Sequence, residues 1–108
     1  MCFVFYEPLP YYEVKITTKP MFKLGEIVAT NQVKQLTDSN KNFKQEIDRA
    51  FNRFIQRDWG VAPLNSKGKP YGVKNGEQVI GWYDTSKGMV YIIIEGDRRT
   101  TILFSYEY

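Results

Sequence analysis

The chain has 108 residues, enough for one folded domain but too few for two hydrophobic cores. Hydrophobic residues make up 43% of it and aromatic residues 16%, which excludes an intrinsically disordered protein. The net charge is +3, and the excess of basic residues lies in the middle of the chain, between residues 39 and 78.

The N-terminal segment, residues 1–20, has the pattern of a hairpin-like extension. An apolar run at residues 2–6 ends before Pro8 and Pro10, which interrupt regular structure. Residues 11–18 then alternate between apolar and polar side chains, which is typical of a half-exposed strand.

The next segment predicts a short strand and the main helix. The strand covers residues 25–30, and a single helical turn follows it. The helix covers about 41–58, with N-cap candidates at residues 37–40 and Gly60 suited to the C′ position. Its apolar stripe has the helical period and consists of Phe43, Ile47, Ala50, Phe51, Phe54 and Ile55.

The last third of the chain predicts three strands at about 79–84, 89–95 and 100–105, joined by hairpin turns at 84–88 and 96–99. The strand at 89–95 is apolar on both faces and should therefore lie inside a sheet. Together the elements predict an α+β fold, with an antiparallel sheet of four or five strands and the main helix packed on one face.

One domain over residues 1–108 accommodates these elements. Residues 22–108 form its core, and a long polar connection, residues 61–78, interrupts it. A connection of this length in a small domain is often functional or mobile.

Basic residues form the first candidate site. Arg49, Arg53 and Arg57 are spaced by four and line one edge of the predicted helix, where like charges repel unless something offsets them. Nearby acids, an acidic partner or nucleic-acid phosphates could each do so, and Arg53 could instead pair with a buried acid. Three lysines of the long connection extend the candidate binding surface: Lys67, Lys69 and Lys74.

A polar cluster forms the second candidate site, either structural or binding. Asp58 ends the predicted helix, where a carboxylate opposes the helix dipole, so we expect it to reach Arg98 or Arg99 across the fold. Trp59 should then plug the edge of the core. The remaining members of the cluster follow the 89–95 strand and are Glu95, Asp97, Arg98, Arg99, Thr100 and Thr101.

Several groups needed for common chemistries are scarce. The sequence contains no histidine, and Cys2 is its only cysteine, which excludes an intramolecular disulfide and a cysteine-based zinc site. We expect no catalytic, metal or cofactor-binding residues and no cofactor. No segment has the length of a membrane span, and a cytoplasmic protein in a reducing compartment is expected.

Several short motifs follow one another along residues 22–108. They are Leu24-Gly25-Glu26-Ile27-Val28-Ala29-Thr30, Asp58-Trp59-Gly60, Tyr83, Glu95-x-Asp97-Arg98-x-Thr100-Thr101 and Glu107-Tyr108. In this order they resemble small plasmid- and phage-related proteins of bacteria, in which Gly-Asp-Trp-Gly and Glu-x-Asp-Arg precede a threonine pair and a closing Glu-Tyr. The chain departs from that pattern by having Phe54 in place of His, Arg57 in place of Gly and Ile94 in place of Thr.

The resemblance implies carriage on a mobile element and no defined activity. Proteins of that origin often block host machinery, including RNA-guided defence nucleases. We therefore expect a non-catalytic inhibitor of a host or defence protein, such as an anti-CRISPR acting on a ribonucleoprotein nuclease. The alternative is a nucleic-acid-binding accessory protein of a plasmid or phage that uses the arginine stripe and the basic connection.

Overall fold

The computed structural model describes residues 12–21, 24–62, 78–95 and 99–108. Its elements are β1 (Glu26–Ala29), α1 (Asn31–Ser39), α2 (Lys41–Phe54), β2 (Gln78–Thr85), β3 (Gly88–Glu95), β4 (Arg99–Phe104) and a final 3-10 turn (Ser105–Glu107). The predictions for residues 2–6, for 63–77 of the long connection and for the turn residues 96–98 lie outside the described residues.

Within the described residues the strands form one four-stranded mixed sheet in the order β1-β4-β3-β2. β2, β3 and β4 pair antiparallel, whereas β1 pairs parallel with β4. The α+β class is confirmed, but the prediction of a wholly antiparallel sheet is wrong. β2 and β4 run in the same direction because two chain reversals separate them. The helical segment between β1 and β2 brings the chain back to the end of the sheet where β1 began, so β1 has this direction as well.

The interior position of β3 is confirmed. It lies between β2 and β4, and its alternating side chains are buried on both faces of the sheet. Ile92 and Ile94 join the core formed with the helices, while Ile93 is buried on the opposite face.

The main helix buries the apolar stripe that the sequence predicts. Phe43, Ile47 and Phe51 are fully buried, and the ring of Phe43 stacks on Phe104 of β4 at 5.8 Å. Asn40 supplies the N-cap, since its side-chain oxygen accepts a hydrogen bond from the Phe43 N–H at 3.0 Å.

A second helix, α1, occupies the place of the predicted single turn. It has nine residues and begins after Thr30, whose hydroxyl oxygen accepts a hydrogen bond from the Val33 N–H. Thr30 also donates to Glu107 Oε1 at 2.8 Å, and the same oxygen accepts the Phe104 N–H at 2.8 Å. The C-terminal turn is thereby tied to the start of α1.

Residues 12–18 form no strand, contrary to the prediction. Side chains of α2 bind their backbone instead: Lys15 N–H donates to Asp48, and Thr17 N–H donates to Asn52 at 2.7 Å. Tyr12 N–H alone reaches β1, at the Ile27 carbonyl. The apolar alternation therefore reflects burial of Tyr12 against the core and not a ladder of strand hydrogen bonds.

The main helix ends at Phe54, four residues before the predicted end. Asp58 N–H donates to the Arg53 carbonyl at 2.9 Å, and Arg57 N–H donates to the Phe54 carbonyl at 3.0 Å. This pair of bonds is the Schellman motif, with Arg57 at the left-handed C′ position and a φ of 65°. Gly60 was predicted at C′, but it lies three residues further on.

Replacing Arg57 by glycine should stabilise the fold, because glycine adopts a positive φ without the steric cost that other residues bear. We expect Arg57→Gly to raise the free energy of unfolding by about 0.5–1 kcal/mol relative to Arg57→Ala, measured by urea denaturation. The alanine variant removes the same charge, so an equal or lower stability of the glycine variant would contradict this account of the helix end.

Candidate functional site

Asp58, Trp59 and Gly60, here called the 58–60 turn, dock on the outer edge of β2. Trp82 N–H donates to the Trp59 carbonyl at 3.0 Å, and Val61 N–H donates to the Trp82 carbonyl at 2.9 Å. Gly60 and Trp82 thus form an isolated parallel bridge. The turn pairs part of an edge strand whose backbone groups would otherwise face solvent or another chain.

Two glycines make this close approach sterically feasible. A Cβ on Gly60 would lie 1.9 Å from the Trp82 carbonyl oxygen, and the φ of Gly60 is +68°. A Cβ on Gly81 would lie 2.3 Å from the hydroxyl oxygen of Tyr83, because the tyrosine ring lies back over Gly81. A side chain at either position would collide with the neighbouring group unless that group moved.

Three polar groups fix the turn to the helix and to β2. Arg53 donates from Nε to Asp58 Oδ2 at 2.9 Å and from Nη2 to Asp58 Oδ1 at 3.2 Å, while Gly60 N–H donates to Oδ1 at 3.1 Å. The buried Tyr83 hydroxyl donates to the Asp58 carbonyl oxygen at 2.6 Å. The Arg53 guanidinium lies 5.4 Å from the centre of the Tyr83 ring, within cation–π distance.

The electrostatics of these groups follow from that geometry. The hydrogen bond from Arg53 lowers the pKa of the Asp58 carboxyl, and the same bond raises the pKa of Arg53. Burial raises the pKa of the Tyr83 hydroxyl far above its usual range, and the negative charge of Asp58 adds to the effect. The carboxylate is therefore held ionised and the phenol protonated at neutral pH.

Within the described residues, the guanidinium partner of Asp58 is a helix residue, Arg53. Of the two predicted partners, Arg98 lies outside the described residues, and Arg99 lies 3.9 Å from Glu26. The Schellman turn explains the difference, because it folds Asp58 back toward Arg53, five residues earlier. Both side chains of this pair are about half-exposed, so Asp58 is not the buried acid that the sequence offered as an alternative partner for Arg53.

The prediction that Trp59 plugs the edge of the core is confirmed. Its indole packs edge-on against the ring of Phe54, with the centroids 5.6 Å apart, and it is half-buried beside the main core.

Of the other residues of the predicted polar cluster, the two threonines lie on β4, away from this turn. Thr100 is fully buried on β4 and donates to the Leu24 carbonyl at 2.6 Å, while Thr101 is half-buried. Glu95 ends β3 opposite Arg99. β3 separates β4 from β2, and the turn lies beyond β2, so neighbouring-strand spacing puts the two threonines about 14 Å from the 58–60 turn. Asp97 lies outside the described residues.

The predicted basic surface is divided as well. Arg49 and Arg57 are exposed, and neither forms an ion pair within the described part of the chain, whereas Arg53 is paired with Asp58. Lys67, Lys69 and Lys74 lie outside the described residues.

Tyr83 and Glu107 are the structural residues whose roles the sequence did not reveal. Both residues belong to the short motifs of the sequence, but the motifs did not indicate the hydrogen-bond partners of either side chain. The Gly81-Trp82-Tyr83 sequence was the available signal, since a glycine two residues before an aromatic residue on a strand leaves room for the ring on the same face.

No group of three or more histidine, cysteine, aspartate or glutamate residues with the geometry of a metal site occurs among residues 12–21, 24–62, 78–95 and 99–108. In the same ranges no helix has the length and apolarity needed to cross a bilayer. Comparisons with protein-family models, with curated proteins and with solved structures find no match to the chain.

Gly60→Ala should be strongly destabilising, because the new Cβ would collide with the Trp82 carbonyl at a positive φ. Gly88→Ala is the matched control, since Gly88 has a φ of +118° but no atom within 4 Å of its built Cβ. We expect the Gly60 variant to lose about 3 kcal/mol or more of unfolding free energy and the Gly88 variant about 1–2 kcal/mol, by urea denaturation. Equal losses would show that Trp82 does not constrain the turn.

The Arg53–Asp58 pair should make stability pH-dependent in acid. Because the pKa of Asp58 is lowered on folding, the stabilisation is complete above the unfolded-state pKa of about 3.9 and is lost as the pH falls through the folded-state pKa. Both side chains are about half-exposed, so we expect a coupling of only about 0.3–1 kcal/mol at pH 7.

A double-mutant cycle with Arg53→Gln and Asp58→Asn measures this coupling at pH 7 and at pH 2. Asparagine retains an oxygen that can accept the Gly60 N–H, so the cycle isolates the ion pair. A coupling of the same size at both pH values would contradict an electrostatic origin.

Proposed function

We propose that this chain is a non-catalytic mobile-element protein that binds host machinery and inhibits it by occupying a surface, as an anti-CRISPR does on an RNA-guided nuclease. The observation that supports the proposal is that the polar groups at the 58–60 turn stabilise the fold. The Asp58 carboxylate, the Arg53 guanidinium and the Tyr83 hydroxyl all bind one another or the backbone. A general acid or base needs a pKa near the working pH, and these groups are shifted away from neutrality.

An exposed aromatic side chain near the C-terminus supplies a candidate contact. Tyr106 is 68% exposed, yet its ring stacks on the buried ring of Phe104 with the centroids 5.3 Å apart. Its hydroxyl donates to the side-chain oxygen of Gln32 on α1. A tyrosine held in place before binding loses little conformational entropy on association, which is the property of an interface anchor.

The biological setting in the proposal comes from the order of motifs along residues 22–108, which resembles small plasmid- and phage-related proteins. A small protein of such origin, without a poised acid or base at its main polar turn, is better suited to stoichiometric blocking than to turnover. We accordingly propose a host or defence protein in the cytoplasm as the partner.

Inhibition should titrate with the amount of protein. When the purified chain is added to a candidate RNA-guided nuclease at ratios on either side of one to one, we expect cleavage to fall in proportion and to stop near equimolar protein. Complete inhibition far below equimolar protein would reveal turnover and overturn the proposal.

Tyr106 provides a variant for the same assay. Tyr106→Ala should weaken inhibition by about 30-fold or more, the size of a typical hot-spot loss, while Tyr106→Phe, which keeps the ring, should lose less. Thermal unfolding of both variants checks that the fold is retained. Equal inhibition by all three proteins would exclude Tyr106 as the anchor.

A further inference from the structure

Cations and amides make up most of the exposed side chains of α2 and of the turn after it. Arg53 and Asp58 are exposed but bind each other, and we call the other exposed positions of the helix and of the turn after it the outward face of α2: Lys41, Asn42, Gln45, Arg49, Gln56 and Arg57. All six side chains can donate hydrogen bonds, and none is acidic or aromatic.

The acids of this helix and its end are engaged in contacts within the fold. Glu46 accepts from the Ser86 N–H at 2.9 Å and from the Ser86 hydroxyl at 2.6 Å, in the turn between β2 and β3. Asp48 accepts from Lys44 at 2.5 Å and from the Lys15 N–H at 3.2 Å, and Asp58 binds Arg53.

The cations of the outward face have no such partners. Lys41, Arg49 and Arg57 form no ion pair within the described ranges. The fold therefore compensates the negative charges of α2 and leaves these positive charges toward solvent.

Lys15 and Glu13 flank this face. The backbone of Lys15 is held against α2 by Asp48 and by Asn52, whose Nδ2 donates to the Lys15 carbonyl at 2.7 Å. The exposed charged side chains of residues 12–21 are Glu13, Lys15 and Lys19, so this segment adds one net positive charge beside the helix.

We infer that the outward face of α2 binds the phosphate backbone of duplex nucleic acid. Arginine and lysine neutralise phosphates, and amide side chains donate hydrogen bonds to phosphate oxygens. The helix has 14 residues and spans about 21 Å, so it offers these donors along several nucleotides.

The composition of the face favours a duplex over the other anionic partners. Binding of single strands relies on aromatic side chains on which bases stack, and the outward face has none. The stacked rings of Trp82 and Tyr91 lie on the opposite side of the sheet from the helix core. A protein partner would need an apolar anchor at the centre of the interface, and this face is polar throughout.

The inferred surface differs from the arginine stripe seen in the sequence. Arg53 is excluded because Asp58 binds it, and Lys41 and Gln45 are added by their exposure. Duplex binding would hold whether or not the chain inhibits a nuclease, so the two proposals can fail separately.

Fluorescence anisotropy with a labelled 20-base-pair DNA duplex tests this surface across a salt series. With three cations in contact, affinity should fall about 40-fold between 50 and 200 mM salt, from a slope of about −0.9 per contact. Arg49→Gln should reduce that loss to about 12-fold, the value for two contacts. Lys34→Gln removes the same charge from α1 and should leave the salt dependence unchanged.

Three results would overturn the inference: no duplex binding at 50 mM salt, binding of a single strand in preference to the duplex, or equal effects of Arg49→Gln and Lys34→Gln. Binding of poly-glutamate with no binding of the duplex would also overturn it and would indicate an acidic protein partner. Thermal unfolding of each variant establishes that the fold is intact.

Discussion

The hydrogen bond from the buried Tyr83 hydroxyl to the Asp58 carbonyl joins the end of the main helix to the edge of the sheet. A buried hydroxyl without a partner is costly, so this bond selects one position for the turn that follows α2. The position is accessible only because Gly60 accepts a positive φ next to the Trp82 carbonyl. The half-exposed Arg53–Asp58 pair lies over this contact and adds a smaller, screened stabilisation.

This closure determines which charges remain on the surface. Asp58 turns back to Arg53, and Glu46 accepts a hydrogen bond from the turn between β2 and β3, so both carboxylates have partners within the protein. The outward face of α2 is left positive, and the rigid ring of Tyr106 lies at the C-terminal turn. A basic face and an aromatic anchor on separate elements would suit a partner that offers both nucleic acid and protein, as a ribonucleoprotein nuclease does.

Helical periodicity of the apolar residues was sufficient to predict α2, and apolar runs bounded by turn residues were sufficient to predict the strands β2 to β4. It could not predict the direction of β1, since alternation in a strand is the same whichever way its neighbour runs. Asp58 was predicted to pair with Arg98 or Arg99 across the fold, and its pairing with Arg53 was missed. A Schellman turn at Arg57 is stabilised by backbone bonds that an arginine there does not signal. The alternation over residues 11–18 predicts a strand, but burial of Tyr12 and Val14 against the core produces the same alternation without strand pairing.

Amide hydrogen exchange at Trp82 and Val61 tests the docking of the 58–60 turn most directly, because these two N–H groups donate the hydrogen bonds of the bridge. If the turn is an integral part of the fold, both amides should exchange only through openings nearly as costly as those that expose Ile92 in the central strand. If they instead exchange as fast as the amide of Lys19, an exposed residue outside the helices and strands, the turn is not held on β2 and its polar groups are available for another role.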